Sequence, residues 1–225
     1  MENRFQRELA RTLVGGREDF LVRLALASRF AALFKDNPNI PKFDKRSDLY
    51  AHVAEMVIKG EAFDYLEFGV FQGDSIRAVS SQNPNPACRF WGFDSFEGLP
   101  ENWNDANPAG TFNLGGRTPQ IDDQRVKFVR GWFNQTLPGF LATYQPAPRL
   151  WIHVDADLYS SGMYALSQLD RYIGEGTVLV FDEFEDLMHE FKVFCDYTAM
   201  SGKGFGMIAA TSQCRQTAFV CQGAG

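Results

Sequence analysis

The chain has 225 residues, of which 45% are hydrophobic and 22% are charged. This composition excludes a disordered chain and suffices for one α/β domain with a substantial core. The formal net charge is −6, without a run of basic residues, so we expect no nucleic-acid partner. Strand-sized apolar runs predict no membrane span. The four widely spaced cysteines are typical of reduced thiols in a cytoplasmic protein.

Two amphipathic helices are predicted ahead of the first strand. Phe5, Leu9 and Leu13 recur at helical spacing within residues 3–14, and a second helix is predicted over residues 18–34. Residues 1–47 are therefore interpreted as an N-terminal helical appendage. It would form either a dimer contact or a wall of a substrate site, and we favour a homodimer, the commonest homo-oligomer.

From residue 48 onward, strand-like and helix-like patterns alternate. Strands are predicted over residues 62–68, 89–94, 126–129, 150–154, 177–181, 205–210 and 216–220, and helices over 48–59, 161–173 and 190–200, with one more after Ser75. Short apolar strands joined by helices predict a mostly parallel sheet with helices on both faces. The last two strands form an antiparallel terminal pair. We therefore predict a Rossmann-like α/β domain over residues 48–225.

Residues 100–123 break this regularity. They are rich in Pro, Gly and Asn and show little periodicity. A loop of this length inside a compact domain is usually functional or disordered. We interpret it as a lid over the site.

A strand-to-helix turn carries the first functional signal. Glu67, Gly69 and Gly73 stand in the order E-x-G-x-x-x-G, and Asp74 or Ser75 is placed to cap the next helix. Such a turn brings backbone N–H groups close to a ligand. Phe71 occupies the place of the second glycine of the dinucleotide fingerprint. This disfavours a nicotinamide cofactor and leaves a smaller nucleoside ligand open, such as S-adenosylmethionine (SAM).

The predicted strands end in acidic residues, which would meet at one edge of a parallel sheet. Asp94 follows the glycine turn at the distance where such folds place an acid against ribose hydroxyls. Another group lies on two strand ends that would be adjacent, and it comprises Asp155, Asp182 and Glu183. Hard oxygen ligands of this kind suit Mg²⁺, or alternatively Mn²⁺ or Ca²⁺, better than Zn²⁺.

Four blocks in this order resemble the macrocin O-methyltransferase family. They are YLEFGVFQGDS at residues 65–75, GFDSFEGLP at 92–100, GWFNQTLP at 131–138 and VDADLYSS at 154–161. The resemblance covers residues 48–200 and implies a class I SAM-dependent, metal-dependent methyltransferase acting on sugar or phenol hydroxyls. Two features depart from the family: Glu183 stands where Asp or Asn is usual, and the chain is short.

The resemblance also implies roles for single residues. The residues implied around SAM are Glu67, Gly69, Ser75, Asp94 and Ser95, with Gly131 and Trp132 near its adenine; Gly73 belongs to the same turn. The implied Mg²⁺ ligands are Asp155, Asp182 and Glu183. Asp157 is the implied base, and His153, which shares a strand face with Asp155, is the alternative.

These observations predict Mg²⁺-dependent transfer of a methyl group from SAM to a hydroxyl of a sugar or glycoside with vicinal hydroxyls. Two other functions stay open, a catechol-like phenol as the acceptor and a SAM-binding module without catalysis. The acidic strand ends disfavour the module, because binding SAM alone does not need Asp155, Asp182 and Glu183. A nicotinamide oxidoreductase is disfavoured by Phe71.

Overall fold

The computed structural model describes residues 18–224, and the helix predicted over residues 3–14 lies outside them. The chain divides into two compact units between Pro38 and Asn39. The described part of the first unit contains helix α1, Glu18–Asp36. Phe20 and Leu24 on this helix are 62% and 58% exposed. In the described residues no helix is both long enough and apolar enough to span a membrane.

The second unit alternates strands and helices, as predicted. Its helices are α2 (Arg46–Val53, continued by a π-helical turn at Ala54–Ile58), α3 (Asp74–Gln82), α4 (Phe133–Leu141), α5 (Tyr159–Leu169, followed by a 3₁₀ turn at Asp170–Tyr172) and α6 (Glu190–Ser201). Its strands are β1 (Lys42–Phe43), β2 (Phe63–Phe68), β3 (Arg89–Asp94), β4 (Val126–Arg130), β5 (Arg149–Val154), β6 (Val178–Phe181), β7 (Lys203–Thr211) and β8 (Thr217–Ala224).

The strands of the described chain form one eight-stranded sheet in the order β1-β7-β8-β6-β5-β2-β3-β4. Strands β2 to β6 run parallel, whereas β8 is antiparallel to both β6 and β7. The predicted fold class is therefore confirmed. Strand β2 pairs with β3 on one side and with β5 on the other. At this switch point the connections leave in opposite directions, and open α/β sheets bind ligands there.

The central strands are buried, and most of their side chains are apolar or aromatic. Every residue of β2 and β6 is buried, and Tyr65 of β2 packs edge-on against Trp151 of β5 at a ring distance of 5.7 Å. Each hydrophobic side chain buried in this way contributes roughly 1.5–3 kcal/mol. A rigid sheet of this kind holds its strand ends, and the acids on them, in fixed relative positions.

Candidate active site

A cavity of about 950 Å³ lies at the carboxyl ends of β2, β3, β5 and β6. Eight of the residues predicted for the site line it: Gly69, Asp94, Ser95, Trp132, Asp155, Asp157, Asp182 and Glu183. The other five, Glu67, Gly73, Ser75, Gly131 and His153, do not line this cavity. Apart from Glu67, all five acids predicted at the strand ends therefore line the same cavity.

Gly69 lets the end of β5 approach the turn after β2. Its φ is 90°, and a Cβ at this position would lie 1.7 Å from the backbone oxygen of Asp155. The N–H of Asp155 donates to the carbonyl of Phe68 over 2.9 Å, so the two strand ends are bonded to each other there. Any side chain at residue 69 would separate them. The glycine thus keeps Asp155 beside the turn.

Asp94 ties that turn to the end of β3. Its Oδ2 accepts the backbone N–H groups of Val70 and Phe71 at 2.8 and 2.9 Å, and its Oδ1 accepts the N–H of Phe96 at 2.7 Å. A carboxylate has about four acceptor positions. Three are used by backbone donors, which leaves about one for a ligand hydroxyl.

Glu67 and Ser75 lie behind the cavity wall and bind each other. The Ser75 hydroxyl donates to Glu67 Oε1, while Oε2 is buried without a hydrogen-bond partner among the described residues. Burial raises the pKa of Glu67 to about 7, against the opposing effects of His153 and Ser75. Of the two glycines outside the cavity, Gly73 caps α3 and Gly131 donates its N–H to the Asp94 carbonyl. These residues shape the wall of the cavity.

His153 belongs to a buried polar row that leads to Asp182. The Tyr65 hydroxyl and His153 Nδ1 are 2.6 Å apart, and His153 Nε2 lies 3.5 Å from Asp182 Oδ1. When Tyr65 donates to Nδ1, the proton of the neutral ring lies on Nε2 and faces Asp182. The Tyr50 hydroxyl donates to the same Asp182 oxygen over 3.4 Å. The imidazole is fully buried, so this row positions Asp182 from below.

Asp155 and Asp157 lie where the chain leaves strand geometry. Asp157 has a φ of 58°, and α5 begins two residues later. Burial, followed by the charges of Asp182 and Asp157, raises the pKa of Asp155 well above its ordinary value. Burial, followed by the charges of Glu183 and Asp182, raises the pKa of Asp157 to about 7. A cation in the cavity would relieve this mutual repulsion.

Asp182 and Glu183 face different partners. Burial alone would raise the pKa of Asp182, but its interactions with His153 and the charge of Arg46 hold that pKa below its ordinary value. Arg215 binds both oxygens of Glu183, with its Nε 2.8 Å from Oε2. Burial outweighs this arginine and raises the pKa of Glu183. The Glu183 backbone N–H donates to the buried carboxylate of Glu190 over 2.8 Å.

The donor chemistry of Asp155 and Asp182 fits a hard cation, since both are carboxylates that line the cavity. The Asp155 carboxylate forms no hydrogen bond within the described residues. However, no group of three or more His, Cys, Asp or Glu side chains there is arranged to hold a metal ion. Of the three predicted ligands, Glu183 is the one whose two carboxylate oxygens are both engaged by an arginine.

The loop at residues 100–123 contributes to the cavity wall. Trp103, Asn107 and Phe112 line the cavity. The Trp103 indole N–H donates to Asp186 Oδ2 over 2.9 Å, and the Ser160 hydroxyl donates to Glu101 Oε1 over 2.7 Å. These bonds join the loop to the segments that follow β6 and β5.

Sequence reasoning missed two arginines that line the cavity, Arg46 at the start of α2 and Arg215 before β8. Their acidic neighbours, Asp182 and Glu183, are 136 and 32 residues away along the chain. No local pattern marks such a pair. The negative charge of the predicted site did indicate that cations would lie nearby, because five converging carboxylates repel one another without them.

A family model described as macrocin O-methyltransferase (TylF) matches residues 116–202. Over 175 residues the chain is 30% identical to the 8-demethyl-8-(2,3-dimethoxy-alpha-L-rhamnosyl)-tetracenomycin-C 4'-O-methyltransferase of Streptomyces olivaceus, covering 66% of this chain and 65% of that protein. It is 24% identical over 177 residues to the mycinamicin III 3''-O-methyltransferase of Micromonospora griseorubida, covering 66% and 68%. The chain thus spans about two thirds of the length of these relatives. The resemblance to the macrocin O-methyltransferase family is confirmed.

Solved structures share the fold. The O-methyltransferase NovP superposes with a TM-score of 0.59 at 21% identity, covering 79% of each chain. The calicheamicin methyltransferase CalS11 superposes with a TM-score of 0.58 at 19% identity, covering 90% of this chain and 92% of its own. CmcI with Mg and SAM gives a TM-score of 0.52 at 15% identity, covering 79% and 72%. These likenesses show a shared fold.

Proposed function

We propose that this member of the macrocin O-methyltransferase-like proteins transfers a methyl group from SAM to a hydroxyl of a sugar or glycoside, with Mg²⁺ as a cofactor. One observation carries the proposal. The glycine turn clamped by Asp94 and the acids Asp155 and Asp182 line the same cavity, at the edge of the sheet where this fold binds ligands.

The turn and its surroundings suit the nucleoside part of SAM. Asp94 has about one acceptor position left for a ribose hydroxyl, and Ser95 and Trp132 line the same cavity. Trp132 precedes α4 and offers an aromatic face for the adenine. When bound, SAM supplies an activated methyl group on a positively charged sulfur. The acidic cavity is suited to a cation of that kind.

Asp155 and Asp182 are the proposed ligands of Mg²⁺, with Glu183 as the third. Their fit is chemical, since they are hard carboxylates gathered at one strand edge. A bound Mg²⁺ lowers the pKa of an acceptor hydroxyl. His153 and Tyr50 hold Asp182 from below, which is how outer residues usually orient a metal ligand.

Asp157 is the proposed general base. Its carboxylate lines the cavity, and its left-handed backbone, with φ at 58°, turns it away from the course of β5. His153 is fully buried and does not line the cavity. Asp157 therefore has access to an acceptor hydroxyl, while His153 is placed to support Asp182. The rest of the catalysis lies in holding both substrates in line.

A sugar acceptor is supported by the aromatic side chains that line the cavity and by the relatives. Aromatic side chains line the cavity, namely Phe71, Trp103, Phe112, Trp132, Phe133 and Tyr164, and their faces can pack against sugar C–H groups. The two relatives are named for O-methylation of a rhamnosyl-tetracenomycin and of mycinamicin III.

The test is to incubate the full chain with SAM, Mg²⁺ and methyl α-L-rhamnopyranoside, and to measure S-adenosylhomocysteine. We expect turnover that stops in EDTA and returns with Mg²⁺. Two matched acceptors are the 4-deoxy glycoside and catechol. Turnover with catechol alone would shift the acceptor to phenols. Binding of S-adenosylhomocysteine with no turnover on any acceptor would favour the binding module.

We further propose a cytoplasmic homodimer whose contact includes α1. Phe20 and Leu24 are more than half exposed on this helix, and apolar surface of this kind often meets a partner. Light scattering across a concentration series should give twice the chain mass. Phe20→Ser with Leu24→Ser should lower that mass to one chain; a single-chain mass for the unaltered protein contradicts the dimer.

A further inference from the structure

Arg46 is an arginine of the cavity wall whose guanidinium has ion-pair neighbours but no hydrogen-bonded partner among the described residues. Its Nη1 lies 3.7 Å from Asp182 Oδ2, and its Nη2 lies 3.8 Å from Asp74 Oδ2. Both distances exceed that of a hydrogen bond, and Arg46 forms no hydrogen bond within the described residues. The Asp74 carboxylate is 63% exposed, so this ion pair is weak. The five N–H donors of Arg46 are therefore available to a ligand.

The cavity contains a surplus of negative charge. Five carboxylates line it, from Asp94, Asp155, Asp157, Asp182 and Glu183, whereas its cationic lining in the described chain consists of Arg46 and Arg215. Arg215 is engaged by both oxygens of Glu183. An anionic group that enters this cavity is repelled by the acids, and Arg46 is the cation with unused donors.

The two arginines pair with different acids of the site. Arg46 lies within ion-pair distance of Asp182, at the end of β6, and of Asp74, which directly follows the glycine turn at the start of α3. Arg215 lies beside Glu183 and Glu185, beyond the end of β6. Of the two arginines, Arg46 is therefore the one within reach of the residue that follows the glycine turn.

We propose that Arg46 binds the carboxylate of the methionine part of SAM through the fork of its guanidinium. The inference rests on the proposed SAM cofactor and adds the group that recognises its amino-acid end. That end carries an ammonium, which the acids of the cavity can meet, and a carboxylate, which they repel. A planar guanidinium matches a carboxylate with two parallel hydrogen bonds, which a lysine ammonium does not.

The experiment compares two ligands by calorimetry in EDTA, so that metal binding does not contribute. S-adenosylhomocysteine carries the amino-acid end, and 5'-methylthioadenosine has the same nucleoside and sulfur without it. Arg46→Ala should weaken S-adenosylhomocysteine about 10- to 100-fold, the range for hydrogen bonds to charged groups. The affinity for 5'-methylthioadenosine should stay unchanged in this variant. The S-adenosylhomocysteine affinity of Arg46→Lys should lie between that of Arg46→Ala and that of the unaltered protein.

Arg77→Ala is the matched control, because Arg77 also pairs with Asp74, at 3.1 Å, but does not line the cavity. It should bind both ligands as the unaltered protein does. If Arg46→Ala loses affinity for both ligands equally, or for neither, the proposed role of Arg46 is overturned. If the unaltered protein binds neither ligand, the SAM cofactor itself fails and this inference falls with it.

Discussion

Arg215 binds Glu183 through two nitrogens: Nε lies 2.8 Å from Oε2, and Nη2 contacts Oε1. Glu183 is also the position where this chain departs from the Asp or Asn usual in the family it resembles. The longer side chain reaches the arginine that precedes β8. Arg215 and Mg²⁺ thus compete for one carboxylate, if Glu183 is the third ligand as proposed.

This competition gives the first prediction. Arg215→Ala frees both carboxylate oxygens of Glu183, so Mg²⁺ affinity should rise at a pH where that carboxyl is ionised. Glu183→Gln should lower Mg²⁺ affinity by about 10-fold or more, the scale at which residues around a metal site act. Titration calorimetry with MgCl₂ in the presence of S-adenosylhomocysteine measures both. Asp182→Asn is the reference variant and should lose Mg²⁺ binding.

The opposite pattern would reassign Glu183. If Glu183→Gln keeps the Mg²⁺ affinity of the unaltered protein while Asp182→Asn loses it, Glu183 is the structural partner of Arg215 and not a ligand. Thermal melting separates this from misfolding, because a folded Glu183→Gln protein must still gain stability from S-adenosylhomocysteine.

The second prediction concerns Asp94, whose carboxylate accepts three backbone N–H groups. Asp94→Ala leaves these donors without a partner, and we expect a loss of roughly 2–3 kcal/mol of folding stability. For a domain of this size that lowers Tm by about 5–10 °C. Asp94→Asn keeps one carbonyl oxygen, so it should melt nearer the unaltered protein while still binding S-adenosylhomocysteine more weakly.

Asp105→Ala is the control for this prediction, because Asp105 is an exposed acid that does not line the cavity. It should change neither Tm nor affinity. Equal Tm for Asp94→Ala and the unaltered protein would mean that the clamp on the turn contributes no stability.

The central strands could be predicted because their apolar runs are bounded by glycines and charges. The predicted strand over residues 89–94 matches β3 at both ends. Two elements were not predicted. Strand β1 has two residues, Lys42 and Phe43, too few for a pattern, and it is held by pairing with β7. Helix α4 contains Pro138, which removes a backbone donor and argues against a helix.

The site was predictable as a set of acids but not as a set of contacts. Parallel strands place their ends at one edge, so Asp94, Asp155 and Asp182 could be brought together from the strand pattern alone. The partners of these acids come from distant segments. The backbone donors on Asp94 and the pairing of Arg215 with Glu183 follow from tertiary packing, which no local spacing encodes.

The third prediction is the pH dependence of stability that follows from Glu67. Its pKa in the folded protein is about 7, raised from 4.5 mainly by burial. Below pH 4.5 the carboxyl is protonated in both states and contributes no difference. Between pH 4.5 and 7 the unfolded state loses its proton first, so stability falls as pH rises. Above pH 7 the folded protein carries a buried anion.

Glu67→Gln removes this titration. In EDTA, its Tm relative to the unaltered protein should therefore increase between pH 4.5 and 7 and then level off near pH 8. Glu175→Gln, at an exposed position, should melt in parallel with the unaltered protein. Parallel curves for Glu67→Gln as well would show that Glu67 is ionised at an ordinary pH in the folded state.

The last prediction is the base. Asp157 lines the cavity, whereas His153 is fully buried between Tyr65 and Asp182. Asp157→Asn keeps the shape of the side chain and removes its basicity. It should lower kcat by about 10²–10⁴-fold, the usual contribution of a general base, with S-adenosylhomocysteine and Mg²⁺ affinities nearly unchanged.

His153→Gln provides the contrast. If His153 positions Asp182, this variant should weaken Mg²⁺ binding, and saturating Mg²⁺ should restore most of kcat. If His153 is the base, kcat stays low at every Mg²⁺ concentration, while Asp157→Asn turns over nearly as fast as the unaltered protein. A Mg²⁺ titration of kcat for both variants, with S-adenosylhomocysteine binding measured in parallel, therefore assigns one role to each residue.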